Sequence, residues 1–294
     1  MPEPETTLPD GLRWLSWVCA LYKQYGILVV LGGLAVIVAL VWWRWPYIKK
    51  LPGVKPICLR VKRLFQSTRK PSQPDAVPSQ ADTLLTQAEK ARLTSRNDAA
   101  RTAYHDALAL YKQVDDRLGQ ANVLHGLGDL ESKLGHNDAA RAAYHDALAL
   151  YKQVDDRLGQ ANVQLGLGDL ERKLGHNDAA RAAYHDALVL FKQVDVRLGQ
   201  ANVLRGLGHL ERDLGHNDAA RMAYHDALAL FKQVDNRLGQ ANVQLGLGDL
   251  ESKLGNNDAA RAALTTSAEL YQVLGMASES QAVMAALRDL PGKP

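Results

Sequence analysis

The sequence GHNDAARAAYHDAL occupies residues 135–148 and recurs unchanged at residues 175–188. A third copy, at residues 215–228, differs only at Met222. Each copy contains two histidines and two aspartates, so the stretch is either a repeated site for chemistry or a repeated piece of scaffold. The surrounding pattern decides between the two, because a fixed period of this size is typical of stacked repeat units.

The period is 40 residues and contains two amphipathic segments. In the second segment Ala140, Tyr144 and Leu148 recur on one helical face, and in the first segment Val123, Leu127, Leu130 and Leu134 do the same. Both patterns have the 3.6-residue spacing of a helix. Each unit is therefore predicted to be a helix, a tight turn and a helix, with second helices that start at Asn97, Asn137, Asn177, Asn217 and Asn257.

The turn inside each unit has its own residue signals. Gly135 stands where a helix ends in a left-handed residue. Asn137 is predicted to cap the following helix through its side chain, and Asp138 to complement the helix dipole. The opening stretch is thereby interpreted as scaffold.

This unit resembles the tetratricopeptide repeat. The residues that carry the resemblance are Leu127, Gly128, Gly135, Ala140, Tyr144, Ala147 and Leu148. The 40-residue length is similar to the longer repeats of kinesin light chain and Pins-type scaffolds, although Glu131 stands where the family often has Tyr. The resemblance implies an all-α, right-handed solenoid of helical hairpins, whose first helices line a concave groove and whose second helices form the back.

The repeats define the predicted domain boundaries. Five units are expected over residues 81–275, of which the first is degenerate because it lacks the Leu-Gly pair. Residues 276–294 are expected to form a closing helix and tail, as terminal repeats are commonly capped.

An apolar run, GILVVLGGLAVIVALVWW, precedes the repeats at residues 26–43. It has no charged residue, is long enough to span a bilayer and is flanked by all five Trp of the chain. A cleaved signal peptide or a buried core helix are the alternatives. The acidic start MPEPETTLPD and the Trp-rich end disfavour a signal peptide. We therefore expect a single transmembrane helix at residues 26–45.

Charge gives the expected orientation. Residues 1–80 carry a net charge of +7 and the remainder −4, and the positive residues follow the apolar run. The positive-inside rule then places residues 1–25 outside and the repeats in the cytoplasm, and the expected location is a bacterial inner membrane. Residues 46–80 form a basic juxtamembrane segment and a Pro/Ser-rich linker. Within them, ICLRVKRLF at 57–65 either lies on the anionic leaflet or is simply solvated.

The near-identical units differ mainly on their first helices. Five columns vary there, of which four are expected to face the groove, while the exposed polar residues of the second helices do not change. Either the groove has diversified or solvated positions have drifted. Arg205, His209 and Arg212 make one unit clearly basic, which suits an acidic partner group.

An asparagine recurs at one point of every first helix. A ladder of carboxamides can bind an extended peptide backbone, although local capping is the alternative. The chaperone-type carboxylate clamp that the family also uses is missing at the matching positions. The predicted partner-binding residues are Asn122, His125, Asp129, Asn162, Asp169, Arg172, Asn202, Arg205, His209, Arg212, Asn242 and Asp249.

The sequence offers no pattern for catalysis. It has no His-x3-His on one helix, its two cysteines precede the repeats, and its GLGDL segments are helical rather than phosphate loops. We expect no enzyme, no cofactor, no metal and no nucleic-acid partner. The predicted function is a membrane-anchored scaffold that binds a protein or peptide in its groove and contacts the lipid bilayer. The alternatives are a self-assembling homo-oligomer and a regulatory subunit of a neighbouring enzyme.

Overall fold

The structure, a computed structural model, describes residues 73–291, which contain eleven α-helices. The helices are α1 Gln73–Leu93, α2 Asn97–Gln113, α3 Arg117–Leu134, α4 Asn137–Gln153, α5 Arg157–Lys173, α6 Asn177–Gln193, α7 Arg197–Asp213, α8 Asn217–Gln233, α9 Arg237–Lys253, α10 Asn257–Val273 and α11 Ala277–Asp289. They form five consecutive hairpins, named units 1 to 5 below, and a closing helix. The architecture is the all-α hairpin solenoid that the sequence predicts.

The seam inside each hairpin consists of small residues around one aromatic ring. In unit 2, Ala140, Tyr144 and Ala147 are almost fully buried. A Cβ atom added to Gly128 would lie 2.6 Å from the ring of Tyr144, so only glycine permits this approach of α3 to α4. The burial confirms the apolar helical face that the spacing of Ala140 and Tyr144 predicts.

The two kinds of turn use different residues at their left-handed positions. Gly135 ends α3 with φ = 80°, as its position in the sequence predicts. The turn that joins α4 to α5 instead places Asp155 at φ = 52°, and Asp115, Asp195 and Asp235 do the same in three equivalent turns, whereas Gly275 takes this position before α11. Aspartate tolerates this conformation better than most residues with a Cβ, because its short side chain can hydrogen-bond locally.

The predicted cap by Asn137 is wrong. Asn137 is the first residue of α4, and the residue at the cap position, His136, makes no side-chain hydrogen bond to the helix. A capping side chain must stand one residue before the helix to reach its free N–H groups, and asparagine comes one residue too late. Side-chain caps occur instead on first helices, where Asp116 and Asp156 each accept a hydrogen bond at 2.9 Å from the amide N–H of a glycine three residues on.

The first helix begins earlier than the predicted linker boundary allows. Helix α1 starts at Gln73 and contains Pro78, so residues 73–80 are helical rather than part of the linker. Pro78 is the sixth residue of α1, so its missing N–H removes one hydrogen bond from the helix, and Ala81 in the next turn is fully buried.

The predicted segment 1–25, the transmembrane helix at 26–45 and the juxtamembrane segment up to residue 72 lie outside the described residues. Among residues 73–291, none of the helices combines the length and apolar character that a membrane span requires.

The stack is tighter on one side. The first helices of successive units, such as α5 and α7, contact one another. Within residues 73–291, second helices of successive units have fewer contacts than that or none. The first helices therefore line the inner side of the stack. Their exposed surface is called the first-helix face below.

Candidate functional site

The twelve predicted groove residues all lie on four first helices: α3, α5, α7 and α9. Each of these helices contacts the next one, so the twelve residues lie along one continuous surface, the first-helix face. Most of them are half-buried. The structure thus brings the predicted residues to one surface, and their contacts distinguish those that serve the fold from those that remain available.

Several acidic groove residues are engaged by tyrosines of the second helices. The hydroxyl of Tyr144 donates to Asp129 at 2.8 Å, and that of Tyr184 donates to Asp169 at 2.6 Å. The same position in unit 5 is Leu264, so Asp249 has no tyrosine partner. Burial raises the pKa of Asp249, and the charges of Arg212 and Lys253 oppose that shift.

The asparagine ladder divides into two classes. Asn122 accepts a hydrogen bond from Tyr151 at 2.7 Å, and Asn242 accepts one from Tyr271 at 2.6 Å. In the two units between them the tyrosine is replaced by phenylalanine, at Phe191 and Phe231. Without that hydroxyl, the carboxamides of Asn162 and Asn202 make no hydrogen bond within residues 73–291, and both are half-buried on the first-helix face.

A group of charged residues surrounds α7. Arg172 of α5 donates to Asp213 at 2.9 Å, and Arg212 donates to the same carboxylate at 3.0 Å. Arg212 also lies 3.9 Å from Asp249. Arg205 makes no hydrogen bond or ion pair within the described part of the chain. Asp213 was not among the predicted site residues, although the equivalent residue is lysine in units 2, 3 and 5.

His209 stands among these arginines as a neutral group. Burial lowers the pKa of its imidazole to about 4, and the positive charges of Arg212, Arg172 and Arg205 act in the same direction. Its Nδ1 lies 2.8 Å from the hydroxyl of Tyr224. At neutral pH the arginines are therefore the charged groups at this point of the first-helix face, and the histidine is not.

A second polar pattern, which the sequence reasoning missed, joins successive units. Arg141 of α4 donates from Nε to Glu171 of α5 at 2.6 Å and from Nη2 at 3.1 Å, and the Nδ1 of His176 lies 2.6 Å from the same carboxylate. The hydrogen bonds from Arg141 hold the pKa of Glu171 below its ordinary value. The available signal was the constant 30-residue spacing of Arg and Glu. The equivalent pairs are Arg101–Glu131, Arg181–Glu211 and Arg221–Glu251.

In each copy of the repeated motif, the first histidine hydrogen-bonds to a glutamate of these pairs. His136 and His176 bond glutamates at the unit junctions, and His145 is exposed on a second helix. Among residues 73–291, no three His, Cys, Asp or Glu side chains are grouped so that they could hold a metal ion.

Repeated hairpins with a polar face along their first helices define a protein of the helical-repeat class. The family model described as tetratricopeptide repeat matches residues 79–153 and 199–272, just over half of the chain. The chain belongs to the tetratricopeptide repeat family. A comparison with curated proteins gave no significant match.

Solved structures show the same fold at low sequence identity. BtubC (BKLC) from P. vanneervenii is 18% identical, with a TM-score of 0.59 over 83% of this chain and 96% of that one. Aspartyl phosphate phosphatase F from Bacillus subtilis is 10% identical, with a TM-score of 0.56 over 72% of this chain and 60% of that one. A Rap protein complexed with Competence and Sporulation Factor is 15% identical, with a TM-score of 0.55 over 72% and 64%. This chain thus spans less than two thirds of the last two proteins.

Proposed function

We propose that this protein is a scaffold that binds a segment of another protein along its first-helix face. The observation that carries the proposal is the pair of unengaged carboxamides, Asn162 and Asn202, on adjacent first helices beside the arginines of α7. The other two asparagines of the column accept hydrogen bonds from tyrosines of the chain itself. The proposal assigns the chain no catalytic activity of its own.

Free carboxamides suit an extended peptide backbone. Each carboxamide can donate to a backbone carbonyl and accept from a backbone N–H, without regard to the side chains of the partner. Because both carboxamides are only half-buried, water can occupy their hydrogen-bonding groups until a partner segment replaces it. One similar solenoid, the Rap protein, is described in complex with a second factor, which is in line with this use of the fold.

We further propose that the scaffold is anchored in a membrane by residues 26–45, with the repeats on the cytoplasmic side. The basis is the uncharged apolar run with its flanking Trp residues and the positive charges that follow it. Carbonate extraction of membranes should leave the full chain in the pellet, while a variant without residues 26–45 should be released. Release of the full chain would remove the anchor from the proposal and leave the groove untouched.

Site-specific photocrosslinking tests the groove. A photoreactive residue at Gln164 of α5, on the first-helix face, should crosslink one defined partner in the full-length chain. The same residue at His185, on the exposed side of α6, should not crosslink it. Crosslinks of equal yield from both positions, or from neither, would contradict binding at the first-helix face. A crosslink to a second copy of this chain would instead establish the self-assembling alternative.

A paired substitution tests the carboxamides in the same assay. Replacement of Asn162 and Asn202 by leucine should lower the crosslinking yield by about tenfold or more, since two backbone hydrogen-bonding groups are lost. Replacement of His145 and His185 by leucine is the matched control, because these residues are exposed on second helices. Equal yields from the two double variants would refute the role of the carboxamides.

A further inference from the structure

The contacts around His209 differ from those at the equivalent point of other units. In unit 2, Arg92 lies 3.9 Å from Asp129, the residue 37 positions later. Arg172 likewise stands 37 positions before His209, where units 3 and 4 meet. Arg212 stands 37 positions before Asp249 and lies 3.9 Å from it. Arg172 is therefore an arginine at a position where the expected carboxylate has been replaced by an imidazole.

Arg172 is only partly satisfied, whereas the Nε of its equivalent, Arg92, donates to Glu89 of its own helix at 3.0 Å. The guanidinium of Arg172 turns to Asp213, but that carboxylate is shared with Arg212. The Nε atom of Arg172 is buried and has no hydrogen-bond partner. Buried N–H groups are nearly always bonded, so an unbonded one in an arginine indicates a missing acceptor.

Arg205 is short of the same acceptor. In unit 2 the equivalent residue, His125, lies 3.8 Å from Asp129, one helical turn away. In unit 4 the residue one turn from Arg205 is His209, and Arg205 has no ion pair within residues 73–291. Two arginines from two helices thus converge on a position from which the negative charge has been removed.

His209 supplies a donor in place of the missing acceptor. The hydroxyl of Tyr224 lies 2.8 Å from Nδ1 of His209, and burial raises the pKa of Tyr224 to about 12, so the hydroxyl keeps a proton that it can donate to Nδ1. A neutral imidazole that accepts at Nδ1 carries its hydrogen on Nε2. The imidazole of His209 thus stands where a carboxylate stands in unit 2, and Arg172 and Arg205 occupy the positions whose equivalents, Arg92 and His125, lie within 4 Å of that carboxylate.

We infer that Arg172, Arg205 and His209 bind one carboxylate group from an acidic side chain of the partner segment. This inference rests on the proposed function and names the chemistry that the groove selects. A single carboxylate matches the positive charge that is left over, because Arg205 has no ion pair within residues 73–291 and Arg172 shares the carboxylate of Asp213 with Arg212. The neighbouring Asp213 already neutralises part of the arginine charge, which disfavours the dianionic phosphate group.

Three peptide libraries test the inference on the full-length chain in detergent solution. Each library consists of acetylated and amidated nonapeptides with random uncharged flanks and a fixed central residue, either glutamate, glutamine or phosphoserine. The wild-type chain should retain the glutamate library about tenfold better than the glutamine library, since glutamine cannot form the charge-assisted hydrogen bonds of a carboxylate. Preference for phosphoserine would overturn the assignment of a carboxylate.

The variant His209→Asp restores the residue of unit 2 and should abolish the preference, because both arginines then pair within the chain. His225→Asp is the matched control, since it makes the same change on an exposed part of α8 and should keep the preference. The variant Arg205→Leu, which installs the residue found at positions 165 and 245, should also reduce it. An unchanged preference in either groove variant, with helical content retained by circular dichroism, would overturn the inference.

Two other outcomes separate this inference from the proposed function. Equal retention of the glutamate and glutamine libraries, lost on replacement of Asn162 and Asn202, would leave the groove as a binding site and overturn the carboxylate site. Retention of none of the libraries by the wild-type chain would contradict the proposed function itself.

Discussion

The first-helix faces of units 2 and 4 have nearly the same backbone and opposite electrostatics at one position. In unit 2, Asp129 accepts a hydrogen bond from Tyr144 and lies within 4 Å of two further basic groups, at 3.8 and 3.9 Å. In unit 4, His209 is held by the equivalent tyrosine, but the basic groups around it find no acceptor there. A polar contact that completes the fold in one unit is left open in the other.

Unit 4 has also lost contacts elsewhere. Its first helix begins after Val196, which cannot cap, whereas Asp116 and Asp156 cap the equivalent helices. Its junction pair is longer too, with Arg181 3.1 and 3.4 Å from Glu211. Proteins often lose stability where a site is kept open for a partner. In these respects the contacts of unit 4 are less complete than those of unit 2.

The largest difference is expected at the unit junctions. Arg141→Ala should lower the free energy of unfolding by about 2 kcal/mol, because it leaves the mostly buried carboxylate of Glu171 without its main donor. Arg181→Ala should cost about half as much, since its bonds are longer and Glu211 is more exposed. Urea denaturation followed by circular dichroism measures both. Equal costs would contradict the looser junction of unit 4.

Acid should destabilise the chain through His209. Burial and the nearby Arg172, Arg205 and Arg212 lower the pKa of the folded imidazole to about 4, below its ordinary 6.5, and Asp213 only partly opposes them. The unfolded chain therefore binds more protons as the pH falls from 6.5 towards 4, and stability is lost across that window. Between pH 7.5 and 5 the wild-type chain should lose about 2 kcal/mol more than His209→Gln. Parallel losses in the two proteins would refute this account of His209.

The missing cap in unit 4 can be restored. Val196→Asp should raise the free energy of unfolding by about 1 kcal/mol, as a side-chain acceptor then reaches the free N–H groups of α7. Hydrogen exchange should slow in the first turn of α7 and remain unchanged in α5, which Asp156 already caps. Uniform slowing, or none, would show that the cap does not limit unit 4.

Most of the fold could be predicted from the sequence because it follows from local spacing. The 40-residue period, the 3.6-residue apolar pattern and Gly135 give the helices, their number and the turn inside each unit. The cap at Asn137 failed because one residue of offset decides whether a side chain reaches the helix end. The predicted linker boundary was wrong because composition alone does not show that Ala81 is buried and that the helix before it continues back to Gln73.

The site was only partly predictable. Comparison of equivalent positions in the repeats identified the residues that share the first-helix face. It also identified unit 4 as the unit with the most basic residues there. It did not show which polar groups are already engaged, because the tyrosine bonds join residues 15 and 29 positions apart across packed helices. The replacement of tyrosine by Phe191 and Phe231 keeps the aromatic ring but removes the hydroxyl, and this leaves the carboxamides of Asn162 and Asn202 without a partner within residues 73–291.

The most direct measurement is to build the second site in unit 2. Arg92 of the preceding first helix, which also pairs with Glu89, and Tyr144 already stand there, so the double substitution His125→Arg and Asp129→His adds the arginine and the imidazole that Arg205 and His209 supply two units away. Calorimetric titration of the full-length chain with the glutamate peptide library should then give two bound peptides per chain, against one for the wild type. A stoichiometry of one in a correctly folded double variant would contradict the claim that these side chains form the binding site.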